Sequence, residues 1–446
     1  MVIQMKKSKY FLAVFFGKLS AIGLKILKRN IPYYPGYVAL KICPDFLKMV
    51  KKPKLIIAVT GTNGKSTICS LLKDSLENLG LKVINNNGFN IDTGIAAMFL
   101  NQKKNSDVAI LEVDEKTSGE IFESVIPNYL LCTNLFRDSM KTNSSIDYVL
   151  SQIQKGVPKT TKLLLNADDL FTVELGLGRE NVYFGMEKKY GKGDSNHHFC
   201  DLIYCPKCGE ELQFLDRKYY HIGNVKCPKC GLTNPKRDYN ATIDEQKKIL
   251  KINDYEFPLK VTSIFNIYNY IAVISLLLEL GYKVPEIQKV VKNSKITDSR
   301  FHETKLNNLT IINHMAKGQN PVACSSVLKY VKDEPGSKCV LLMLDDVTDN
   351  RYSSETVAWY YDTDFDCLND TSIKEVIIGG KRSKDLYVAL LLANVSKDKI
   401  VRVDNEFDMP LKINFQNIDK IFLLHDITSY EQSMKIEEEI KREFSK

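Results

Sequence analysis

The amino-acid sequence predicts an α/β protein with a large doubly wound domain around a parallel sheet, followed by a second α/β domain. Short apolar segments rich in β-branched residues alternate with segments of helical period, and each apolar segment ends in polar residues. A glycine-rich segment, 60–67, directly follows the first predicted strand. The length of 446 residues, 44% of them hydrophobic and 26% charged, suits roughly two or three globular domains and excludes a disordered, collagen-like or coiled-coil chain.

The charge and the cysteines narrow the class of protein further. Lys and Arg number 62 against 54 Asp and Glu, which gives a formal net charge of +8. This small excess suits anionic small molecules or a membrane surface and argues against nucleic acid as a partner. Four of the 11 cysteines form two Cys-x-x-Cys pairs and the others are scattered singly, a usage that predicts a reduced, cytoplasmic protein. The sequence leaves open whether the protein works at the inner face of the membrane.

Residues 1–50 are predicted to form an N-terminal helical segment. Large apolar residues recur there at helical spacing, with lysines between them: Phe11, Phe15, Leu19, Ile22 and Ile26. The lysines, and the lack of a small-residue cleavage site, argue against a signal peptide and against a spanning helix. Two interpretations remain: a helix packed on the first domain, or a basic amphipathic helix resting on an anionic membrane.

Residues 51–298 are predicted to form a central doubly wound domain, with helices over 66–79 and 264–280. Its predicted strands are 54–59, 82–85, 108–112, 129–134 and 162–167. Ligands of doubly wound sheets gather at the carboxyl ends of the strands, so we expect the site at that edge. Residues 299–446 are predicted to form a C-terminal α/β domain with strands at 310–313, 339–344, 375–379 and 420–424.

The segment 60–67, Thr-Gly-Thr-Asn-Gly-Lys-Ser-Thr, is typical of a loop that binds phosphate. Glycines let backbone N–H groups close around phosphate oxygens, and the start of the following helix adds a partial positive charge. Lys65 is predicted to reach the β- and γ-phosphates, and Ser66 to bind Mg²⁺ together with Glu112 at the end of another strand. The alternatives are a chance turn and a solvated strand-end acid. The candidate ATP-binding residues in the loop are Gly61, Thr62, Asn63, Gly64, Lys65, Ser66 and Thr67.

Residues 196–240 interrupt the α/β pattern and are predicted to form an inserted zinc ribbon. Two Cys-Pro-Lys-Cys-Gly segments, with 18 residues between their cysteine pairs, supply four thiolates: Cys205, Cys208, Cys227 and Cys230. A tetrahedral site with four cysteines has no open position, so the Zn²⁺ would be structural. Two redox pairs or ordinary buried cysteines explain two segments of the same design less well.

Five motifs resemble those of the Mur ligases, at 60–67, 112–115, 132–138, 266–269 and 299–303. The resemblance implies that the loop binds ATP, that the Glu112 segment binds Mg²⁺, and that Asn266 and Asn269 hold adenine. It also implies that Arg300 meets the γ-phosphate, which makes Lys65, Glu112 and Arg300 candidate catalytic residues. The predicted fold is therefore a Mur-ligase-like ATPase domain with a zinc-ribbon insertion and a C-terminal α/β domain.

Within that superfamily the chain resembles the MurT family, the ligase subunits of lipid II isoglutaminyl synthase. The similarity depends on the string Asn-Leu-Phe-Arg-Asp at 134–138, the four-cysteine insertion and Gly-Gly-Lys-Arg-Ser at 379–383. It implies ATP-dependent amidation of the α-carboxyl of D-glutamate in the stem peptide of lipid II, through an acyl phosphate. Ammonia would come from a separate GatD-like glutaminase subunit in a heterodimer. Asn90, Asn134 and Asp138 lie at strand ends suited to the substrate or second-metal side.

One C-terminal segment departs from the MurT pattern. The family carries Asp-Gly-x-Asp-x-Ser-Trp there, and the resemblance implies that the second Asp completes the active site of the glutaminase. With Trp359 as the anchor, this position falls on Thr356. Glu355 or Asp349 could supply the carboxylate instead and are candidate catalytic residues. Both could equally be solvated loop residues.

Two other functions remain open from the sequence. The first is a stand-alone Mur-type ligase that adds an amino acid, or a divergent paralogue that acts on another cell-wall precursor. The second is a nucleotide-responsive binding module whose ribbon contacts nucleic acid. The modest net charge argues against the second.

Overall fold

The computed structural model describes residues 2–102, 105–138, 145–187, 200–261, 263–294, 301–316, 319–344 and 356–446. The chain divides near residue 296 into two compact units, one on each side of that position apart from two short segments. Each unit is built around a sheet of its own.

The N-terminal unit contains a nine-stranded sheet and a two-stranded hairpin. Its strands are β1 (Leu55–Thr60), β2 (Val83–Asn85), β3 (Val108–Glu112), β4 (Tyr129–Cys132), β5 (Lys162–Asn166), β6 (Asn181–Met186), β7 (Gln213–Tyr219), β8 (Ile222–Lys226), β9 (Tyr239–Asp244), β10 (Ile249–Ile252) and β11 (Tyr255–Pro258). The large sheet has the order β11-β10-β9-β6-β5-β4-β1-β3-β2, and β7 pairs with β8. Neighbours run parallel from β2 across to β9, whereas β10 is antiparallel to both of its neighbours.

Helices connect the strands of this unit. They are α1 (Val2–Ile26), α2 (Tyr34–Ile42), α3 (Phe46–Met49), α4 (Lys65–Asn78), α5 (Asp92–Leu100), α6 (Ser118–Phe122), α7 (Ile146–Gly156), α8 (Leu170–Leu175), α9 (Ile264–Glu279) and α10 (Val284–Asn293). The predicted strands and the two predicted helices are confirmed to within a few residues at their ends, and so is the doubly wound α/β class.

The register of the central strands brings the candidate site together. Val59 of β1 is paired with Glu112 of β3, and Thr60 is paired with Cys132 of β4. All three strands are parallel and almost fully buried. Their carboxyl ends therefore meet at one edge of the sheet, where the residues that follow each strand can contact one another.

The C-terminal unit has a six-stranded sheet. Its elements are β12 (Phe301–Leu306), β13 (Leu309–Met315), α11 (Pro321–Asp333), β14 (Lys338–Met343), β15 (Ile373–Ile378), α12 (Ser383–Leu392), β16 (Ile400–Arg402), β17 (Lys420–His425) and α13 (Tyr430–Phe444). The strand order is β12-β13-β17-β14-β15-β16, with β12 antiparallel and the other pairs parallel. Four predicted strands are confirmed here, as β13, β14, β15 and β17.

Helix α1 packs on the N-terminal unit, as one of the two interpretations of the N-terminal segment predicts. It packs through small residues: Ala13 is fully buried, and a Cβ on Gly17 would lie 2.6 Å from Leu100 Cδ2. The large apolar residues at helical spacing are on the other side and exposed: Phe11, Phe15, Leu19, Ile22 and Ile26. Among the described residues, no helix is long and apolar enough to cross a membrane.

Candidate functional site

The loop between β1 and α4 has a backbone shape that only glycine accommodates at two positions. Gly61 has a φ of 118° and Gly64 a φ of 92°, in the left-handed region where a Cβ is strained. Space is lacking as well, because a Cβ on Gly61 would lie 2.3 Å from Thr133 Oγ1 and one on Gly64 would lie 2.3 Å from Asn269 Oδ1. Both glycines are therefore required by the packing of the loop against β4 and α9.

The residues after β4 hold this loop through hydrogen bonds to Thr62. The Thr62 backbone N–H donates to the Asn134 carbonyl at 2.8 Å. The Thr62 hydroxyl accepts from the Phe136 N–H at 2.9 Å and lies 3.1 Å from the Phe136 carbonyl as a donor. The Thr62 side chain thus makes the two hydrogen bonds with the Phe136 backbone that a paired strand residue would otherwise make.

Asn63 is held by side chains from the same segment. Asn134 Oδ1 accepts from the Asn63 N–H at 3.0 Å, and Asn134 Nδ2 donates to the Asn63 carbonyl at 3.1 Å. The Thr133 hydroxyl donates to the same carbonyl at 2.7 Å. Asn134 therefore contacts the phosphate loop and fixes its backbone, and its expected place on the substrate or second-metal side stays a prediction. We call residues 133–136 the loop clasp.

Lys65 lies at the start of α4, where the first backbone N–H groups have no acceptor within the helix. Its ammonium donates to the Gly61 carbonyl and to Glu115 Oε1, both at 2.6 Å. The side chains of Lys65 and Glu115 are only 12% and 5% exposed, so this ion pair is sheltered from solvent. The pair keeps the ammonium above the loop, within reach of a phosphate placed there.

Ser66 and Glu112 have the spacing that a magnesium ion requires. The Ser66 hydroxyl donates to Glu112 Oε1 at 3.0 Å. Two neighbouring ligands of an octahedral Mg²⁺, each about 2.1 Å from the ion, would lie about 3.0 Å apart. Asn86 fixes the backbone of Glu112, since its side chain accepts from the Glu112 N–H at 2.8 Å and donates to the Glu112 carbonyl at 2.7 Å. Chemistry and spacing therefore both fit an Mg²⁺ site.

The two asparagines of α9 lie beside the loop. Asn269 is 6% exposed, and its side chain is the group that a Cβ on Gly64 would meet. Asn269 Nδ2 donates to Asn266 Oδ1 at 3.3 Å, which places both amides on the same side of the helix. This position next to α4 is compatible with the expected contact to the base of a nucleotide.

The four predicted zinc ligands are brought together. The sulfur atoms of Cys205, Cys208, Cys227 and Cys230 all lie within 4.8 Å of one another. The Cys205–Cys230 and Cys208–Cys227 sulfur distances are 3.6 and 3.5 Å, close to the about 3.8 Å that four thiolates at about 2.3 Å from one Zn²⁺ would have.

The two cysteine turns have the same backbone geometry. Gly209 and Gly231 have φ values of 71° and 73°, and their N–H groups donate to the carbonyls of Cys205 and Cys227. The Cys230 N–H donates to Cys227 Sγ at 3.4 Å, and this hydrogen bond is the largest of several contacts that lower the pKa of the Cys227 thiol to about 6. Burial and the neighbouring thiols raise the pKa of Cys208. The turn therefore favours the metal-binding thiolate form at Cys227.

The tip of the ribbon hairpin packs against the loop clasp. His221, between β7 and β8, is fully buried, and its ring centroid is 4.3 Å from that of Phe136. Tyr219 stacks on Phe136 with ring centroids 6.1 Å apart and also contacts Phe265 and Tyr268 of α9. The ribbon therefore connects the loop clasp to α9, which supports a scaffolding role.

Comparisons with known proteins agree with this geometry. Residues 59–277 match the family described as Mur ligase middle domain, and residues 318–429 match MurT ligase C-terminal. The chain is 30% identical over 399 residues to the Staphylococcus aureus (strain COL) protein named lipid II isoglutaminyl synthase (glutamine-hydrolyzing) subunit MurT, with 88% of this chain and 90% of that protein covered. The chain belongs to the MurT family of Mur ligases.

Other relatives extend the likeness. The MurT subunit of Streptococcus pneumoniae (strain ATCC BAA-255 / R6) is 27% identical over 435 residues, covering 94% of this chain and 95% of that protein. The solved pseudomurein peptide ligase type C from Methanothermus fervidus has a TM-score of 0.65 at 22% identity, covering 89% of this chain and 81% of that one. MurF ligase from Thermotoga maritima, solved in complex with ADP, has a TM-score of 0.56 at 15% identity, covering 88% and 81%. The predicted Mur-ligase-like fold is confirmed.

Three predicted residues of this MurT-family chain lie outside the described part: Arg300, Asp349 and Glu355. Thr356 is described and exposed, and its hydroxyl accepts from the Ala358 N–H at 3.4 Å. Trp359, the anchor of the motif, is 2% exposed in the core of the C-terminal unit. The structure thus describes Thr356, but the expected match between this position and the carboxylate of the MurT pattern stays a prediction.

Sequence reasoning missed three sets of contacts in this MurT-family site: those of the loop clasp with the phosphate loop, those of Asn86 with Glu112, and the ion pair of Glu115 with Lys65. Asn86 and Asn134 are 4% and 6% exposed, and each directs its amide to backbone groups of a neighbouring strand end. Their available signal was position, since Asn86 directly follows one predicted strand and Asn134 is the last residue of another. Which backbone a strand-end amide will bind depends on the register of the sheet, which a single sequence does not contain.

Replacing Asn134 tests the loop clasp. In Asn134→Ala the loop loses two hydrogen bonds of about 1 kcal/mol each, so we expect affinity for the Mg²⁺ complex of a non-hydrolysable ATP analogue to fall about 30-fold. Isothermal titration calorimetry measures this. Asn78→Ala, at the exposed far end of α4, is the matched control and should bind as the unmodified chain does. Equal affinity of both variants would contradict the clasp.

Replacing Cys205 tests the zinc ribbon and its link to the loop. Cys205→Ser should lose stoichiometric zinc, unfold more than about 5 °C lower, and bind the ATP analogue more weakly because Phe136 loses support from the hairpin. Zinc analysis, calorimetric unfolding and nucleotide titration measure the three effects. Cys200→Ser removes a neighbouring thiol outside the cluster and should change none of them. A zinc-replete Cys205 variant of normal stability would refute the assignment.

Proposed function

We propose that this MurT-family chain catalyses ATP-dependent amidation of the α-carboxyl of D-glutamate in the stem peptide of lipid II. The observation that carries the proposal is the assembly of Lys65, Ser66 and Glu112 around one glycine-lined loop. The names of the S. aureus and S. pneumoniae relatives support the substrate, since both are called subunits of lipid II isoglutaminyl synthase.

The proposed reaction has two steps. A carboxylate oxygen of the substrate attacks the γ-phosphorus of ATP, the bond from that phosphorus to the bridging oxygen breaks, and ADP leaves. The acyl phosphate is then attacked at its carbonyl carbon by ammonia. The nitrogen forms the amide bond and loses a proton, and inorganic phosphate leaves with the carbon–oxygen bond electrons.

The chain's own residues act mainly by position and charge. The Lys65 ammonium would leave Glu115 and bind the β- and γ-phosphates. Arg300 would bind the γ-phosphate. Ser66 and Glu112 would hold Mg²⁺, which supplies charge neutralisation at the phosphates. Asn266 and Asn269 would hold adenine. The four cysteines would hold a structural Zn²⁺ away from the chemistry, because their site has no open position.

The ammonia is proposed to come from a GatD-like glutaminase in a heterodimer with this chain, on the cytoplasmic side of the membrane. The relatives are named as subunits, which supports a partner polypeptide. Glu355 or Asp349 would orient the catalytic imidazole of that partner, since Thr356 carries no charge. Thr356 also favours the alternative, a stand-alone or divergent Mur-type ligase, because an uncharged residue at this position could not orient the imidazole of a glutaminase.

Lys65→Ala is the test of the ATP site. Without the ammonium the developing charge on the phosphates loses its main protein cation, so we expect ATP turnover to fall by about 100-fold or more. ADP release measures this in the complete enzyme. Lys73→Ala, two turns further along α4, keeps the loop intact and should retain full activity. Unimpaired turnover in the Lys65 variant would contradict the site.

Purification from the native host tests the partner and the substrate together. We expect a small glutaminase to copurify, and the complex to convert lipid II to its amidated form with glutamine and ATP. Mass spectrometry of the product shows a change of one carboxyl to an amide. If the chain alone couples an amino acid to a cell-wall precursor with release of ADP, the stand-alone function replaces the proposed one.

A further inference from the structure

The outer face of α1 is an unusual exposed apolar surface. The five residues Phe11, Phe15, Leu19, Ile22 and Ile26 are 67%, 61%, 51%, 55% and 75% exposed. At about 100° per residue they fall within an arc of about 80° on the helix, so they form one continuous stripe. Leu12 and Phe16 widen it on one side, each about half exposed. A stripe of this length is far more than the scattered apolar residues of an ordinary surface. We call it the α1 stripe.

The opposite face of α1 is firmly attached to the N-terminal unit, so the α1 stripe cannot turn inwards. Tyr10 stacks on Phe46 with ring centroids 5.7 Å apart. Ala13 is fully buried, and Gly17 allows close approach to Leu100 and to the Pro35 carbonyl. Helix α1 therefore presents its large apolar side chains outwards because its small ones make the packing contact.

The charges around the α1 stripe have one sign. The first 44 residues contain eight Lys and Arg residues, and the first acidic residue of the chain is Asp45. At about 100° per residue, Lys7, Lys18 and Lys25 lie along one border of the stripe, within about 40° of its edge. Lys18 and Lys25 are exposed. Lys6 is paired with Asp45, at 2.8 Å, on a different side of the helix.

We propose that the α1 stripe binds the surface of an anionic lipid bilayer, with α1 lying in the plane of the membrane. A stripe of Phe, Leu and Ile enters the boundary between headgroups and acyl chains, while bordering lysines contact anionic headgroups. A protein partner of the same shape would need acidic residues opposite the lysines, whereas an anionic bilayer supplies both the apolar layer and the negative charge. The inference goes beyond the proposed ligase activity and does not depend on it.

Sedimentation with lipid vesicles tests this inference on the full-length chain. The probe is vesicles of equal parts phosphatidylglycerol and phosphatidylcholine, with pure phosphatidylcholine vesicles in parallel. We expect binding to the anionic vesicles, about tenfold weaker binding to the neutral ones, and weakening with added salt. In Phe11→Ser/Phe15→Ser/Ile22→Ser, binding to anionic vesicles should fall at least about tenfold.

The matched control replaces three equally exposed apolar residues elsewhere. Leu177, Leu215 and Leu392 are 69%, 66% and 67% exposed, and Leu177→Ser/Leu215→Ser/Leu392→Ser should bind vesicles as the unmodified chain does. Both triple variants should keep their unfolding temperature and ATP-analogue affinity. Lys18→Glu/Lys25→Glu provides a second test that leaves the apolar residues intact, and its binding should also fall.

Three results would overturn the proposal. The first is absence of binding of the unmodified chain to anionic vesicles. The second is equal loss of binding in the control triple variant. The third is a lipid-free dimer, seen by size-exclusion chromatography with light scattering, that the α1 variant abolishes while vesicles remain unbound, since the stripe would then be the contact between two copies of the chain. None of these results affects ATP turnover, so failure here is distinct from failure of the proposed function.

Discussion

The hydrogen bonds between the phosphate loop and the loop clasp are the interaction on which the rest of the site depends. A loop with two glycines in the left-handed region has little shape of its own, and the clasp supplies it through Thr133, Asn134 and Phe136. Phe136 in turn packs on the ribbon hairpin, the hairpin packs on α9, and α9 presents Asn269 to Gly64. The phosphate loop, the loop clasp, the ribbon hairpin and α9 thus form a continuous ring of contacts in which each packs against the next.

Buried polar groups add hydrogen bonds between the ribbon hairpin, α9 and the end of β5. Asp168 follows β5 and is almost fully buried, where it accepts from Tyr268 of α9 at 2.5 Å and from Arg237 Nε at 2.8 Å. Burial raises the pKa of the Asp168 carboxyl, and the nearby Arg237 guanidinium opposes that rise. The Asp168 carbonyl also accepts from the Gly223 N–H in the hairpin. The four-cysteine cluster, which we propose holds Zn²⁺, can therefore influence the shape of the loop through the hairpin.

The strands, the edge of the sheet that holds the site and the cysteine turns could be predicted, because each is determined by a short stretch of sequence. Strands such as β1 and β3 are short apolar segments, their polar ends share one edge of a parallel sheet, and a Gly after each Cys-Pro-Lys-Cys segment allows its turn. The features that could not be predicted depend on the register of the sheet strands and on which face of a helix packs against the rest of the chain. The periodicity of α1 identified its apolar stripe correctly but could not say whether neighbours cover it, and the packing face is marked only by Ala13 and Gly17 at helical spacing.

The central claim is that the loop between β1 and α4 binds the phosphates of ATP under the ammonium of Lys65. A crystal structure with Mg²⁺ and a non-hydrolysable ATP analogue tests it most directly. The account predicts phosphate oxygens within hydrogen-bond distance of the loop N–H groups and of Lys65 Nζ, with Lys65 separated from Glu115. A structure with nucleotide bound elsewhere, the loop empty and Lys65 still paired with Glu115 would contradict it.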